Sequence, residues 1–217
     1  DLAEKYRSIV VVLLDGSLGQ MMEPAELPEM QPLKTQYPDW ATRGNEGREK
    51  RIHTSIYMDP PLEEKANIRM LRRWQEVEKN ETRWLEYFMD DAEYVVTGFG
   101  TAGRIALSAV RTAREAGLKV GLIRPTVVNP FPCAVYEEYS RKVKNMLVVE
   151  MNTGQMLEDV RKAVQGRIPV EFYGRMGGVM PLPDEIFGEI KRMVSEPQTT
   201  EGSPRDRWLE RLSAKVS

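Results

Sequence analysis

The sequence has only one cysteine and one histidine in 217 residues. A single thiol, Cys133, cannot form an internal disulfide, and it cannot hold an iron–sulfur cluster, which usually needs about four thiolates. The lone His53 is better explained as a solvated loop residue than as a metal ligand or a catalytic base. This sparse use of cysteine fits a reducing, cytoplasmic setting.

The sequence also lacks a large net charge and a long apolar run. The net charge is −2 and the isoelectric point is about 5.7, which disfavours a nucleic-acid or anionic-membrane surface as a partner. No apolar run approaches the roughly 18 residues of a membrane span, and no signal peptide opens the chain. With 41% hydrophobic and 29% charged residues, the composition is that of a globular chain with a sizeable core.

The pattern from residue 93 to residue 132 predicts a strand–helix–strand unit. Residues 94 to 97 are β-branched and aromatic, as in a buried strand. From Ala102 the apolar period becomes helical, and Gly117 supplies the left-handed position that ends the helix. Residues 119 to 123 form a second strand, which a right-handed crossover makes parallel to the first.

The turn inside this unit matches the pattern G-x-G-x-x-G through Gly98, Gly100 and Gly103. Such a turn can bring the backbone close to a pyrophosphate at a helix N-terminus, and Arg124 after the second strand could suit the 2′-phosphate of NADP. The same glycines are also explained by a tight strand-to-helix turn with close packing, and we favour that interpretation.

Two more strands are predicted at residues 145 to 150 and 168 to 173, the latter at a sheet edge because Pro169 cannot donate to a central ladder. Helices are expected at residues 133 to 143, from Asn152 or Thr153 to Gly166, and from Pro183. We therefore predict an α/β domain over residues 93 to 194. Its sheet should be open and mostly parallel, with helices on both faces and an antiparallel addition near residues 126 to 128.

The rest of the chain carries weaker signals. Residues 9 to 14 (Ile-Val-Val-Val-Leu-Leu) predict a fully buried strand, yet no second strand is evident before residue 93, and residues 81 to 90 continue a helical pattern. One strand cannot bury both of its faces. We therefore expect residues 1 to 30 to be the end of a domain whose body lies elsewhere, and the chain to be a C-terminal fragment. Residues 31 to 92 would be an irregular and helical linker, and residues 195 to 217 a polar tail with a short amphipathic helix.

Polar side chains cluster where the predicted parallel strands end, which is where ligands and partners meet an open sheet. They are Thr97, Arg124, Glu150, Asn152 and Arg175. They could form an anion site or a polar interface, or they could merely cap helices and turns. The pattern leaves these possibilities open.

Several stretches resemble the α subunit of 2-oxoacid:ferredoxin oxidoreductases, most closely the branched-chain (3-methyl-2-oxobutanoate) type. They are residues 13 to 24 (LLDGSLGQMMEP), 120 to 125 (VGLIRP) with Phe131 and Pro132, 149 to 156 (VEMNTGQM), and 172 to 178 (FYGRMGG). The resemblance covers nearly the whole chain except the polar tail.

That resemblance implies the end of a pyrimidine-binding domain followed by a transketolase C-terminal-like domain. The implied activity is oxidative decarboxylation of a 2-oxo acid to acyl-CoA with electrons passing to ferredoxin. Thiamine diphosphate, Mg²⁺ and [4Fe-4S] clusters would belong to the full assembly, with β, γ and ferredoxin-like δ subunits or a second copy as partners. The family's Tyr-Pro-Ile-Thr-Pro stretch and its catalytic glutamate have no counterpart in this sequence. Asp15-Gly16 lacks the preceding glycine and the asparagines of the Gly-Asp-Gly metal motif, so the resemblance places no catalytic, cofactor or metal residue on this chain.

Overall fold

A computed structural model describes residues 1 to 32 and 37 to 216, so part of the predicted linker, residues 33 to 36, lies outside the described residues. The chain forms two compact units: residues 1 to 20 together with residues from 76 onwards, and residues 21 to 75. The elements in chain order are α1 (Leu2–Tyr6), α2 (Gly16–Gln20), α3 (Pro60–Glu81), β1 (Trp84–Tyr87), β2 (Tyr94–Gly98), α4 (Gly100–Glu115), β3 (Val120–Pro125), α5 (Cys133–Tyr139), β4 (Asn145–Glu150), α6 (Met156–Val164), β5 (Val170–Gly174), α7 (Pro183–Ser195) and α8 (Pro204–Val216).

The first unit is built on a five-stranded sheet with the order β1-β3-β2-β4-β5. Strands β2, β3, β4 and β5 are parallel to one another, and β1 pairs antiparallel with β3. All six residues of the interior strand β4 are buried, as expected for a parallel strand covered on both faces. The predicted open, mostly parallel sheet is confirmed, with β5 at the predicted edge.

The strand order fixes where the helices lie. From β2 the chain moves to β3 on one side, then passes back over β2 to β4 on the other side, and continues outward to β5. Because each crossover is right-handed, this reversal puts α4 on one face and α5 and α6 on the other. The packing agrees: α4 contacts α7, and α5 contacts α6. The carboxyl ends of β2 and β4 therefore flank a topological switch point.

The antiparallel strand is not where the sequence predicted it. Residues 81 to 90 were expected to continue a helix, but α3 ends at Glu81 and residues 84 to 87 pair with β3. The side chains of Trp84 and Tyr87 are half-buried against the core, whereas Leu85 is exposed. Residues 126 and 127 form no strand, and their amides donate instead to the Arg83 carbonyl. Pairing with β3 therefore overrides the local helical pattern.

The predicted strand at residues 9 to 14 is also wrong for this structure. This segment, hereafter the apolar run, is outside the sheet and has no regular secondary structure. All six of its side chains are exposed, from 52% for Val10 to 89% for Ile9. A strand needs a neighbour for its backbone groups, and none of the described residues pairs with this segment.

Helix α1, just before the apolar run, is tied to the end of α3. The Tyr6 hydroxyl donates to Glu81 Oε1 at 2.6 Å, and Lys5 Nζ and Arg83 also pair with this carboxylate, at 3.0 and 2.7 Å. The hydrogen bonds from Tyr6 and Lys5 lower the pKa of Glu81 to about 2. This group of four side chains is the first attachment of residues 1 to 20, hereafter the N-terminal segment, to the rest of the first unit.

The C-terminal tail contributes more to the core than its polar composition predicted. Trp208 of α8 is only 2% exposed, stacks edge-on against Phe172 with ring centroids 4.9 Å apart, and donates from Nε1 to the Gly174 carbonyl at 3.0 Å. Arg207 pairs with the buried carboxylate of Glu171 at 2.8 Å. Helix α8 thus packs against β5 and is part of the folded unit.

The other predicted helices are confirmed with small shifts at their ends. Helix α5 stops at Tyr139, one turn earlier than expected, and α6 begins at Met156, after the predicted caps. Gln165, rather than Gly166, is the first left-handed residue after α6. Helix α7 begins at Pro183 as predicted.

In the second unit, the described residues outside α3 are mostly irregular, as the density of proline and glycine predicted. Backbone carbonyls serve as the main hydrogen-bond partners there: Arg51 donates to the Ala41 carbonyl, and His53 Nε2 lies 2.7 Å from the Trp40 carbonyl. Among the described residues, no helix combines the length and the apolar character that crossing a membrane requires.

Replacing Trp208 with alanine should lower the free energy of unfolding by about 3–5 kcal/mol, because it leaves a cavity beside Phe172 and removes the bond to Gly174. The matched control is Leu209→Ala on the same helix, where the side chain is 50% exposed and the expected change is within about 0.5 kcal/mol. Urea unfolding of the two variants measures both values. Equal effects would mean that α8 does not contribute to the core.

Candidate functional site: the switch point between β2 and β4

In open α/β sheets, ligands bind outside the carboxyl ends of the strands at the switch point, often against the N-terminus of the next helix. Here β2 leads into α4, and β4 leads into α6 on the opposite face. The crevice between them is therefore the position to test for a ligand. Two helix N-termini, with their unpaired N–H groups and positive dipole ends, point toward it.

The glycine-rich turn between β2 and α4 is a close-packing device. A Cβ on Gly103 would collide with the Gly98 carbonyl oxygen, so helix and strand could not approach as they do. Gly100, the first residue of α4, has φ +58°, a left-handed conformation that glycine adopts without strain. This geometry matches our favoured interpretation of the motif.

The start of α4 is already occupied by a carboxylate from the N-terminal segment. Asp15 Oδ2 accepts the Thr101 amide at 3.1 Å, while Oδ1 accepts the Leu18 amide at 2.8 Å. Burial alone would raise the pKa of Asp15, but the hydrogen bonds from Leu18 and Thr101 outweigh it and lower this pKa below its usual value. Asp15 therefore stays ionised at neutral pH and fills the position that a phosphate would take.

A second carboxylate fills the start of α6. Glu150, the last residue of β4, is 5% exposed and accepts the Met156 and Leu157 amides at 3.0 and 2.9 Å. Asn152 closes the intervening turn, because its Oδ1 accepts the amides of Gly154 and Gln155. The strand end and the helix start are thus joined through one buried side chain.

Between these two helix starts lies an open cleft of about 350 Å³. Its walls are mainly apolar, and its polar groups are predominantly carboxylates and amides. The lining residues are Leu13, Leu14, Asp15, Phe99, Ala102, Val128, Val149, Glu150, Met151, Asn152, Gln155, Met156 and Asp159. No arginine or lysine lines it among the described residues, so the cleft has no cation to hold a phosphate.

The structure brings together only two of the five strand-end residues predicted from the sequence, namely Glu150 and Asn152. Thr97 is fully buried, and its hydroxyl shares a 2.7 Å hydrogen bond with the hydroxyl of Tyr136. Arg124 lies against Gly103 on the side of α4, and Arg175 pairs with Glu185 at 2.9 Å. A joint anion site of all five residues stays a prediction.

The sequence did not predict that Asp15 accepts a hydrogen bond at the start of α4. It drew attention to Asp15 only as part of a stretch similar to the Gly-Asp-Gly metal motif. Its partner Thr101 lies 86 residues away. A contact of this separation leaves no periodic signal in the sequence. Phe99 and Met156 also line the cleft and were missed for a simpler reason. Phe99 lies two residues beyond the predicted strand end at Thr97, and Met156 lies three residues beyond the predicted cap Thr153.

The side chains do not fit the metal centres of the resembled family. Asp15 is committed to two backbone amides, and the described residues contain no group of three or more His, Cys, Asp or Glu side chains arranged to hold a metal ion. The single thiol of Cys133 is far short of the four that a [4Fe-4S] cluster takes. Burial raises the pKa of this thiol above its ordinary value.

The chain thus contains a doubly wound α/β domain. The two helices that start at its switch point, α4 and α6, each have a protein carboxylate at the N-terminus. Residues 92 to 186 match the pyruvate:ferredoxin oxidoreductase core domain II. The chain is 39% identical to the ketoisovalerate oxidoreductase subunit VorB of Methanothermobacter thermautotrophicus over 90% of its length and 55% of that protein. It is 30% identical to the 2-oxoglutarate synthase subunit KorA of Methanothermobacter marburgensis, over 89% of this chain and 58% of that one.

A solved structure shares the fold. It is the 2-oxoglutarate:ferredoxin oxidoreductase from Magnetococcus marinus with 2-oxoglutarate, coenzyme A and succinyl-CoA bound. The TM-score is 0.57 at 17% identity, over 69% of this chain and 28% of that chain. Residues 92 to 186 therefore carry the core domain II of this oxidoreductase family, and the chain is similar to 2-oxoacid:ferredoxin oxidoreductase subunits. It spans a little over half the length of the curated relatives it matches.

The link between β4 and α6 can be tested directly. Glu150→Ala leaves the amides of Met156 and Leu157 without their acceptor, which should lower the free energy of unfolding by about 1–3 kcal/mol. Glu158→Ala, in the same first turn but with an exposed carboxylate, should change it by at most about 1 kcal/mol. Urea unfolding compares the two variants, and equal losses would contradict the assignment of Glu150 as the cap.

Proposed function

We propose that this chain is the C-terminal part of the α subunit of a thiamine-diphosphate-dependent 2-oxoacid:ferredoxin oxidoreductase. The complete enzyme would convert a 2-oxo acid, CoA and oxidised ferredoxin into acyl-CoA, CO₂ and reduced ferredoxin. Within it, this domain acts as scaffold and subunit interface and supplies no catalytic residue. The observation that carries the proposal is the 39% identity to a ketoisovalerate oxidoreductase subunit across 90% of the chain.

The geometry of the switch point supports a scaffolding role. Both helix N-termini at the crevice are neutralised by protein carboxylates, Asp15 and Glu150, so the usual place for a bound phosphate is taken. A domain that saturates its own anion sites and exposes apolar surface is suited to contacts with other polypeptides. The matched relatives are subunits, which fits partners of the β, γ and ferredoxin-like δ kinds or a second copy of the chain.

The further parts of the proposal concern the complete protein. Other polypeptide would hold thiamine diphosphate, Mg²⁺ and the iron–sulfur clusters. A branched-chain 2-oxo acid is the favoured substrate class, because the chain is 39% identical to a ketoisovalerate oxidoreductase subunit and 30% identical to a 2-oxoglutarate synthase subunit. Residues 1 to 30 would end a pyrimidine-binding domain, residues 93 to 194 would form the transketolase C-terminal-like domain, and the assembly would work in the cytoplasm.

The apolar run supplies a test of the interface role. Residues 9 to 14 and the methionines Met21, Met22 and Met30 are exposed in the chain alone, and obligate interfaces are rich in such side chains. Hydrogen exchange should therefore be fast for residues 1 to 60 in the isolated chain and slow in the full assembly. Residues 93 to 194, which close their own core, should be protected in both states.

A pair of variants sharpens this test. Val12→Asp places a charge on an 82% exposed side chain, so it should leave the unfolding temperature of the isolated chain unchanged and prevent assembly with the partner subunits. Leu209→Asp, on an exposed position of α8, should leave both properties unchanged. Strong protection of both segments in the isolated chain, or normal assembly of Val12→Asp, would contradict the interface role.

The competing hypothesis was a free-standing NADP-binding module that uses Gly98, Gly100, Gly103 and Arg124. The comparisons do not support it, and Asp15 lies where the pyrophosphate would bind. Thermal unfolding with NAD, NADP and CoA separates the two hypotheses, because a ligand at a hundred times its dissociation constant stabilises a fold by about 2.7 kcal/mol. We expect no shift with NADP, and a clear shift would refute the scaffold assignment.

A further inference from the structure

The N-terminal segment is attached to the first unit at two separate points. The first is the contact of Tyr6 and Lys5 with Glu81, and the second is the contact of Asp15 with α4. Between them lies the apolar run, whose side chains are all exposed. A run with few packing contacts of its own takes its course mainly from its ends, so the two attachments decide where it lies.

The Asp15 contact has the features of a bound anion rather than of an ordinary helix cap. An ordinary N-cap precedes its helix in sequence, and that place here belongs to Phe99, whose side chain makes no capping hydrogen bond. The carboxylate instead approaches from a distant part of the chain and meets Gly100, where a side chain would come within 3.2 Å of Oδ2. The same oxygen accepts the Thr101 amide.

The second carboxylate oxygen orders the chain that follows. Asp15 Oδ1 accepts the Leu18 amide, and the Asp15 carbonyl accepts the Gly19 amide, so the short helix α2 begins directly after this residue. One side chain therefore joins the end of the apolar run, the start of α2 and the start of α4. The adjacent Leu13 and Leu14 are at the same time brought to the wall of the cleft.

We propose that Asp15 is a positioning residue: its carboxylate acts as an internal anion at the start of α4 and thereby fixes the course of the apolar run over the carboxyl edge of the sheet. This inference concerns the geometry of the chain itself and does not depend on which reaction the complete protein performs. It assigns the glycine-rich turn a ligand that belongs to the same polypeptide.

An internal anion differs from a packing residue in one testable respect, because a free anion can replace it. The measurement is the distance distribution between two nitroxide labels in the full chain, one at Val12→Cys and one at Arg111→Cys on α4. Both labels are placed in a Cys133→Ser background, since Cys133 is the sole cysteine. Both labelled positions are exposed, so the labels leave the core intact.

With Asp15 present, the distribution should be narrow. Asp15→Ala should broaden it at least twofold, and added acetate should narrow it again, whereas chloride at the same ionic strength should do so less. Asp15→Asn, which keeps the shape but loses the charge and one acceptor oxygen, should fall between the two. The matched control is Asp91→Ala, which removes a carboxylate paired with Arg114 at the surface and should leave the distribution narrow.

Two results would overturn the proposal. A narrow distribution in Asp15→Ala would show that the apolar run keeps its course without the carboxylate. A broad distribution that acetate does not narrow would show that Asp15 acts through packing and not as an anion. Circular dichroism of each variant establishes that the sheet is still folded, and if Asp15→Ala fails this control, Asp15→Asn with and without acetate decides by the same two criteria.

Discussion

The close approach of α4 to β2 is the constraint on which the first unit depends. The chain turns from strand to helix within one residue, and the Gly103 position touches the Gly98 carbonyl so closely that no side chain fits. This contact aims the start of α4 at the carboxyl ends of the central strands. It also allows the helix to lie flat on the sheet, where its small residues Ala102, Ala106 and Ala109 are buried. A larger residue at position 103 would push α4 away from β2 and separate the buried alanines of the helix from the sheet.

That constraint creates an electrostatic need as well as a packing surface. A helix start aimed at a crevice carries unpaired N–H groups and partial positive charge. Many proteins of this architecture satisfy such a start with the phosphate of a bound nucleotide. This chain uses its own carboxylates, Asp15 for α4 and Glu150 for α6. The same local geometry therefore binds a cofactor in one protein and joins two segments of the chain in another. The difference is whether a bound nucleotide or the protein's own side chain supplies the anion.

The parts of the fold that sequence could predict are those set by local patterns. The change of period at Ala102, the stop at Gly117 and the edge position caused by Pro169 are each determined by a few neighbouring residues, and the structure confirms them. Strand β1 was missed because residues 84 to 87 become a strand only by pairing with β3, whose partner residues lie 35 to 41 positions further along. Trp208 was assigned to a polar tail for the same reason, since its burial depends on Phe172 in a distant strand.

The residues of the candidate site also divide into those that a local pattern predicts and those that depend on distant contacts. Glu150 and Asn152 could be placed in the crevice because carboxyl ends of parallel strands meet at one edge. Arg124 and Arg175 end strands at that edge too, but Arg124 lies beside Gly103 and Arg175 pairs with Glu185. Neither lines the cleft, because the position of a residue at a strand end does not fix the direction of its side chain. The composition of the apolar run predicted a buried strand that the structure does not form, because composition does not say whether a strand to pair with is present.

The apolar run has a further consequence for handling the protein. Six consecutive β-branched or leucine residues without charge, proline or glycine are the composition from which intermolecular β-sheets nucleate. In this chain all six side chains are exposed, and the run lies outside the sheet. We therefore expect these 217 residues, when produced by themselves, to aggregate into fibrils or inclusion bodies unless other polypeptide covers residues 9 to 14.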